Sequence, residues 1–128
     1  MAADWGCKED GKQTSKNIQD KNPELVIVAG DLSYKDMEIV GIISSFESKL
    51  KVSMDDHEYH DTDAGKTAVI NEYLNPLNLA KTYYSFDLNN VHFVFIDPYM
   101  DYKPDSEQYQ FIENDLKTAS TNPKIDWT

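Results

Sequence analysis

The 128-residue sequence predicts an α/β fold, in which helices flank a layered sheet. Residues 25–29 are apolar without alternation and stop at a Gly-Asp pair, which is typical of a strand buried on both faces of a parallel sheet. Apolar residues recur every three to four positions between 36 and 50, which predicts an amphipathic helix. Two aromatic and β-branched runs flank the turn at 88–90, which predicts an antiparallel hairpin.

The first third of the chain predicts a strand, a helix and a second strand. The residues up to Asp4 are typical of the end of a strand. Thr14 is the predicted N-cap of a polar helix that ends near Pro23, with Ile18 as one of its few apolar contacts. A right-handed βαβ connection brings the carboxyl ends of its strands to one edge of the sheet. We therefore expect Asp4 and Asp31 to be neighbours.

The middle of the chain predicts a helix at 36–50 that covers one face of the sheet, followed by a third strand at 52–54. Residues 55–59 are predicted to form the loop at the end of that strand. Residues 67–79 have helical spacing, and Pro76 is expected to bend or end this helix.

The last third predicts a hairpin of 83–87 and 91–97, followed by a helix that Ser106 opens. Tyr109, Ile112 and Leu116 are its apolar positions, and Glu107 lies in the first turn, where the helix dipole favours an acid. Residues 125–128 are typical of the beginning of a further strand. Together with the opening residues, this ending predicts that 1–128 is a single partial domain, truncated at both ends.

The composition argues against several classes of partner. Aspartate and glutamate number 23 against 12 lysines and arginines, which gives a formal charge of −11. Such a field repels phosphate backbones, so we expect no nucleic-acid partner. The single cysteine cannot form an internal disulfide, and no apolar run approaches the roughly 20 residues of a membrane helix. The cellular compartment stays open.

Polar side chains follow each of the three predicted strands of the parallel sheet. Asp4 follows the first, Asp31 and Tyr34 the second, and Asp56 with His57 the third. Oxygen ligands on neighbouring strand ends suit hard and borderline metals. Two such ions about 3.5–4 Å apart generate a hydroxide nucleophile and neutralise charge on a phosphoryl group. The pattern predicts a hydrolase site for phosphate esters.

Three short motifs resemble the first three motifs of the calcineurin-like metallophosphoesterases. In chain order they are Asp4-x-Gly6, Gly30-Asp31-x-x-Tyr34 and Asp55-Asp56-His57-Glu58. The spacing to Tyr34 is similar to that of the purple acid phosphatase branch, as are the two segments 81–87 and 91–97. The resemblance spans nearly the whole chain and implies part of a four-layer α/β/β/α fold.

The resemblance also implies a role for each site residue. Asp4 and Tyr34 would bind the first metal, Asp31 would bridge both metals, and Asp56 would hold the second. His57 would be the catalytic residue that faces the substrate phosphate, stabilising it or protonating the leaving oxygen. The implied cofactors are two metal ions, iron with zinc or manganese, and the implied substrate is a small phosphate ester.

The chain departs from that family in two places. Asp55 and Asp56 stand where the family has Gly and Asn, and no histidine follows His92, although three later histidines are ligands in the family. We therefore expect an amino-terminal half that is inactive in isolation. The alternatives are a catalytically inactive binding or scaffold module and a domain that binds divalent cations without catalysis. An exposed sheet edge, where the other half would pair, predicts self-association.

Two further polar residues have structural interpretations. His92, between Val91 and Phe93, is expected on a sheet face or in the core rather than at a metal. Asp97, ahead of Pro98, is expected to be a loop carboxylate rather than a functional one.

Overall fold

The computed structural model describes residues 1, 9–32, 45–46, 49–59 and 73–128. The elements in these ranges are α1 (Glu9–Asp20), β1 (Val26–Ala29), β2 (Leu50–Ser53), α2 (Asp56–Tyr59), α3 (Asn75–Leu77), β3 (Tyr84–Leu88), β4 (Val91–Phe95) and α4 (Glu107–Thr121). The chain divides into two compact units, Met1–Ala80 and Lys81–Thr128. In the described part of the chain, no helix is both long and apolar enough to span a bilayer.

The first unit contains a parallel pair of strands, as predicted. Val26 lies opposite Leu50, and the register continues to Ala29 opposite Ser53. Burial is complete on one face only, because Ile27 is half-buried and Ala29 is exposed. The expectation of a strand buried on both faces is therefore wrong for the described residues.

A cluster of apolar side chains forms the core of this unit. Its buried members are Val26, Val28, Leu32, Phe46, Leu50, Val52, Met54, Tyr73 and Leu74. Ile18 of α1 packs against the cluster, which confirms it as an apolar contact of that helix. Leu32 and Met54, which come just after β1 and β2, belong to this cluster and so anchor the turns that follow the two strands.

Two predicted element boundaries in this unit are wrong. Helix α1 begins at Glu9, and Thr14 lies inside it, where its hydroxyl donates to the Asp10 carbonyl oxygen at 2.8 Å. Threonine can satisfy its hydroxyl in this way within a helix, so it does not have to mark a helix start. Leu50, predicted as the last residue of a helix, is the first residue of β2 and is 2% exposed. A single buried leucine fits both the helical and the strand pattern.

The segment after β2 is not the predicted loop, because Asp56–Tyr59 forms one helical turn, α2. Pro76 lies in α3, which ends where Asn78 adopts a left-handed conformation with φ of 53°. Of the predicted helix at 36–50 the structure describes 45–46 and 49–50, and of the predicted helix at 67–79 it describes 73–79.

The second unit contains the predicted antiparallel hairpin. Tyr84 lies opposite Phe95 and Leu88 opposite Val91, with Asn89 in a left-handed conformation at the turn. The rings of Tyr84 and Phe95 stack with centroids 4.9 Å apart. Trp127 pairs with Val91 in parallel and accepts from the backbone N–H of His92 at 2.8 Å. The strand-like character predicted for 125–128 is therefore present at one bridge.

Helix α4 begins as predicted, with Ser106 as N-cap accepting from the Tyr109 backbone N–H at 3.2 Å. Its buried face differs from the predicted one, since Tyr109 and Leu116 are 41% and 39% exposed. Gln108 is buried instead, because its side-chain amide bonds both backbone polar groups of Asp97, at 2.7 and 3.0 Å. Pairing two buried backbone groups justifies the burial of this polar side chain.

His92 is the centre of a polar network in the second unit. It is 8% exposed, and its Nδ1 lies 2.5 Å from Asp87 Oδ1 while its Nε2 lies 2.8 Å from Asp115 Oδ2. The Ser85 hydroxyl donates to the other Asp115 oxygen at 2.7 Å. The expectation that His92 is a sheet-face or core residue is confirmed. The network ties the hairpin to α4.

Candidate metal site

The turn after β1 requires glycine at position 30. Gly30 has φ of 73°, and a Cβ at this position would lie 2.5 Å from the Asp55 Cβ. Its backbone N–H donates to the Ser53 carbonyl oxygen at 3.2 Å, which extends the strand pairing by one bond. The ends of β1 and β2 are therefore held together, and the turns that follow them start side by side.

Asp31 follows in a left-handed conformation, with φ of 52°. Aspartate tolerates this region better than most residues, because its short polar side chain can bond locally. Gly30 and Asp31 are thus two consecutive residues of positive φ, and the chain bends directly after the strand.

The turn after β2 accommodates aspartate where the phosphoesterases that its motif resembles have glycine. Asp55 does not have a positive φ, and its Oδ1 accepts the Asp56 backbone N–H at 2.8 Å at the start of α2. The side chain thus satisfies one of the N–H groups that a helix start leaves unpaired. The missing glycine does not strain this turn.

Three side chains from the two turns converge at this edge. Asp31, Asp56 and His57 each offer one ligand atom, and these atoms all lie within 4.8 Å of one another. Asp31 and His57 are half-buried, whereas Asp56 is exposed. Two carboxylate oxygens and an imidazole nitrogen form a donor set that fits manganese, iron or zinc. In chemical terms, the three residues suit one shared cation.

Glu58 is the residue of this site that sequence reasoning missed. Its side chain is fully buried, and its two carboxylate oxygens accept the backbone N–H groups of Asp31 at 3.1 Å, Leu32 at 2.9 Å and Asp55 at 2.9 Å. Burial raises the pKa of Glu58, while the three N–H groups oppose that rise. The available signal was the Asp55-x-x-Glu58 spacing, which is that of a capping box.

Two of the predicted metal ligands are not among the residues that the structure describes. Asp4 and Tyr34 lie outside the described residues, and so does the expected proximity of Asp4 to Asp31. The described residues bring together Asp31, Asp56 and His57, whose individual roles stay predictions.

Asp97 has a local structural role. It is 1% exposed, and its Oδ1 accepts the Tyr99 backbone N–H at 2.9 Å, so the carboxylate stabilises the turn after β4. This contact agrees with the interpretation of Asp97 as a loop carboxylate.

Comparison with known proteins gives a consistent relationship. No protein-family model matches the chain. The chain is 28% identical over 133 residues to probable purple acid phosphatase 20 of Arabidopsis thaliana, which covers 91% of this chain and 31% of that protein. Its fold is similar to that of purple acid phosphatase PPD1 from yellow lupin (Lupinus luteus) seeds, with a TM-score of 0.59 and 22% identity over 91% of this chain and 26% of that one. The chain is related to the purple acid phosphatases.

This relationship confirms the resemblance seen in the three motifs and the predicted α/β fold, which is calcineurin-like. Purple acid phosphatases use a dinuclear metal centre, and the Asp31, Asp56 and His57 group is a candidate part of one. The chain spans about a third of the length of the curated relative. The single partial domain, truncated at both ends, stays a prediction.

Proposed function

We propose that the chain contributes to a metal-dependent phosphoesterase site that hydrolyses small phosphate esters. The observation that carries this proposal is the convergence of Asp31, Asp56 and His57 within 4.8 Å at the ends of two parallel strands. The relationship to purple acid phosphatases supports the same class of reaction. Ligands in open α/β sheets bind at this edge, where the loops after adjacent strands part.

Each residue has a proposed task. Asp4 and Tyr34 would hold the first of two metals, Asp56 would hold the second, and Asp31 would be shared by both. The metal pair, iron with zinc or manganese, would supply Lewis acidity and activate a water for attack on the phosphate. His57 faces the phosphate group and stabilises it or protonates the leaving oxygen. Because no histidine follows His92, this chain alone should bind metals weakly and show negligible turnover. Micromolar binding of two metals in calorimetry would contradict this expectation.

The test is hydrolysis of p-nitrophenyl phosphate with added iron, manganese or zinc, by the protein at the length that its source encodes. Asp31→Ala should lower turnover by at least about 100-fold, since even partners of metal ligands cost 10- to 100-fold when removed. Asp20→Ala, at the exposed end of α1, is the matched loss of one carboxylate and should not change turnover. Equal turnover of Asp31→Ala and wild type would rule out the assigned role.

The second candidate, an inactive binding or scaffold module, is favoured by Asp56 itself. A second aspartate beside Asp55 adds negative charge, which weakens the metals as Lewis acids and repels phosphate. Asp56→Asn restores the residue that the family has at this position. A phosphoesterase should keep or raise its turnover with this change, whereas a scaffold would hydrolyse nothing in either form.

Self-association through an exposed sheet edge is also a proposal, because unpaired strand edges template pairing with a second chain. Light scattering of the chain should show particles larger than a monomer. A monodisperse monomer would refute it.

A further inference from the structure

The carboxylate of Glu58 binds both turns of the candidate metal site at once. Its Oε2 accepts the N–H groups of Asp31 and Asp55, and its Oε1 accepts that of Leu32. We propose that Glu58 is a positioning residue that sets the distance between Asp31 and Asp56 and so determines cation affinity at this site. The inference rests on the proposed function, because it assumes that a cation binds there.

The bonding pattern shows why this position demands a carboxylate. Three N–H donors converge on two oxygens, and Glu58 is fully buried, so water cannot replace a lost acceptor. A glutamine would offer one oxygen and turn its NH₂ group toward a donor. An aspartate would keep the negative charge, but its side chain is one methylene shorter and would not reach all three N–H donors.

The placement of the bonds links Glu58 to the ligand side chains. Asp31 is left-handed, and its own N–H is held by Glu58. Asp55 is held by Glu58 through its N–H and holds Asp56 through its Oδ1. A shift of Glu58 would therefore move both ligand-bearing turns, in contrast to an ordinary capping residue, which stabilises a single helix end.

Four variants of the chain separate positioning from charge and from stability. Glu58→Asp keeps the charge and loses reach, and Glu58→Gln loses both the charge and one acceptor. Asp55→Asn removes a neighbouring charge while leaving an oxygen for the Asp56 N–H. Val52→Ala destabilises the same sheet from a fully buried position inside β2 and removes none of the hydrogen bonds that Glu58 makes. Circular dichroism selects conditions under which all forms are folded.

The primary readout is the affinity for Mn²⁺, measured from the free-ion signal in electron paramagnetic resonance. The second readout, which needs no metal, is the backbone amide resonances of Asp31, Leu32 and Asp55. Both Glu58 variants should weaken Mn²⁺ binding by at least about tenfold, the lower end for loss of a partner of metal ligands. Both should also shift the three amides. Asp55→Asn should weaken Mn²⁺ binding by less than about fivefold, as expected for a partly exposed charge. Val52→Ala should change neither the Mn²⁺ affinity nor the amide resonances.

Wild-type affinity in Glu58→Asp, or an equal loss in Val52→Ala, would overturn the inference while leaving the proposed function standing. Unshifted amides in both Glu58 variants would also overturn it. Absence of Mn²⁺ binding by the wild-type chain would contradict the proposed function, and the positioning role would fall with it. In that case, shifted amide resonances in the Glu58 variants would show that Glu58 stabilises only the backbone of the two turns.

Discussion

The network around His92 predicts that the second unit loses stability as pH rises. Both ring nitrogens lie within 2.8 Å of a carboxylate oxygen, and only the protonated ring can donate from both. The hydrogen bond to Asp87, and secondarily that to Asp115, raises the pKa of His92 above its ordinary value. A pKa that is raised on folding gives stability below the unfolded pKa of about 6.5. That stability is lost as pH rises through the higher pKa of the folded state.

The perturbation that tests this network is Asp115→Asn. Asp115 is 18% exposed and His92 8%, so the lost bond is a largely buried one to a charged group and should cost about 1.5–3 kcal/mol. Asp87 lies closer to the ring, but it is 48% exposed and water competes for its carboxylate. Asp87→Asn should therefore cost only about 0.2–1 kcal/mol, in spite of its larger effect on the pKa. The two variants are isosteric with the wild type and control for each other.

The assay is urea unfolding at pH 5.5, 6.5 and 8.5, followed through amide resonances of β3 and β4 so that only the second unit is observed. Wild-type stability should fall across this range, and the difference from Asp115→Asn should shrink as pH rises. A wild-type free energy of unfolding that rises with pH would refute a protonated His92. So would an Asp115→Asn cost below about 0.5 kcal/mol at pH 5.5, since a buried charged bond should exceed it.

Three substitutions test the fold around these sites by urea unfolding. Gly30→Ala should destabilise the first unit by more than about 1 kcal/mol, since its φ is 73° and the new Cβ would meet Asp55; a neutral effect would contradict the tight approach of the two turns. Leu50→Ala, at a 2% exposed position, should cost about 2–5 kcal/mol, and a loss under 1 kcal/mol would argue against its place in the core. Ser106→Ala should cost about 1 kcal/mol through loss of the α4 cap, whereas no cost would mean that the cap is dispensable.

Local signals in the sequence predicted the parts of the fold that depend on neighbouring residues. The hairpin follows from a turn between two β-rich runs, and the start of α4 follows from Ser106, because capping acts within one helical turn. The run that stops at Gly30 and Asp31 likewise predicted a parallel strand with a polar turn at its end.

Contacts between distant residues could not be predicted in the same way. Glu58 binds Asp31 across 27 positions, and His92 binds Asp115 across 23. Neither pairing leaves a periodic trace in the sequence. Gln108 is buried and its neighbour Tyr109, a predicted apolar position, is exposed, because the Gln108 side-chain amide pairs with both backbone polar groups of Asp97. In each case, a buried polar side chain is placed by its hydrogen bonds to residues distant in the sequence, which the pattern of apolar residues does not encode.

The central claim is that Asp31 and Asp56 hold a cation beside His57, and mapping of Mn²⁺ along the chain by paramagnetic line broadening tests it most directly. The account predicts that substoichiometric Mn²⁺ first broadens the resonances of residues 31–32 and 55–58, including the His57 ring, and that Asp31→Asn removes this broadening. Broadening that begins at carboxylates elsewhere, or that persists unchanged in Asp31→Asn, would contradict a shared site.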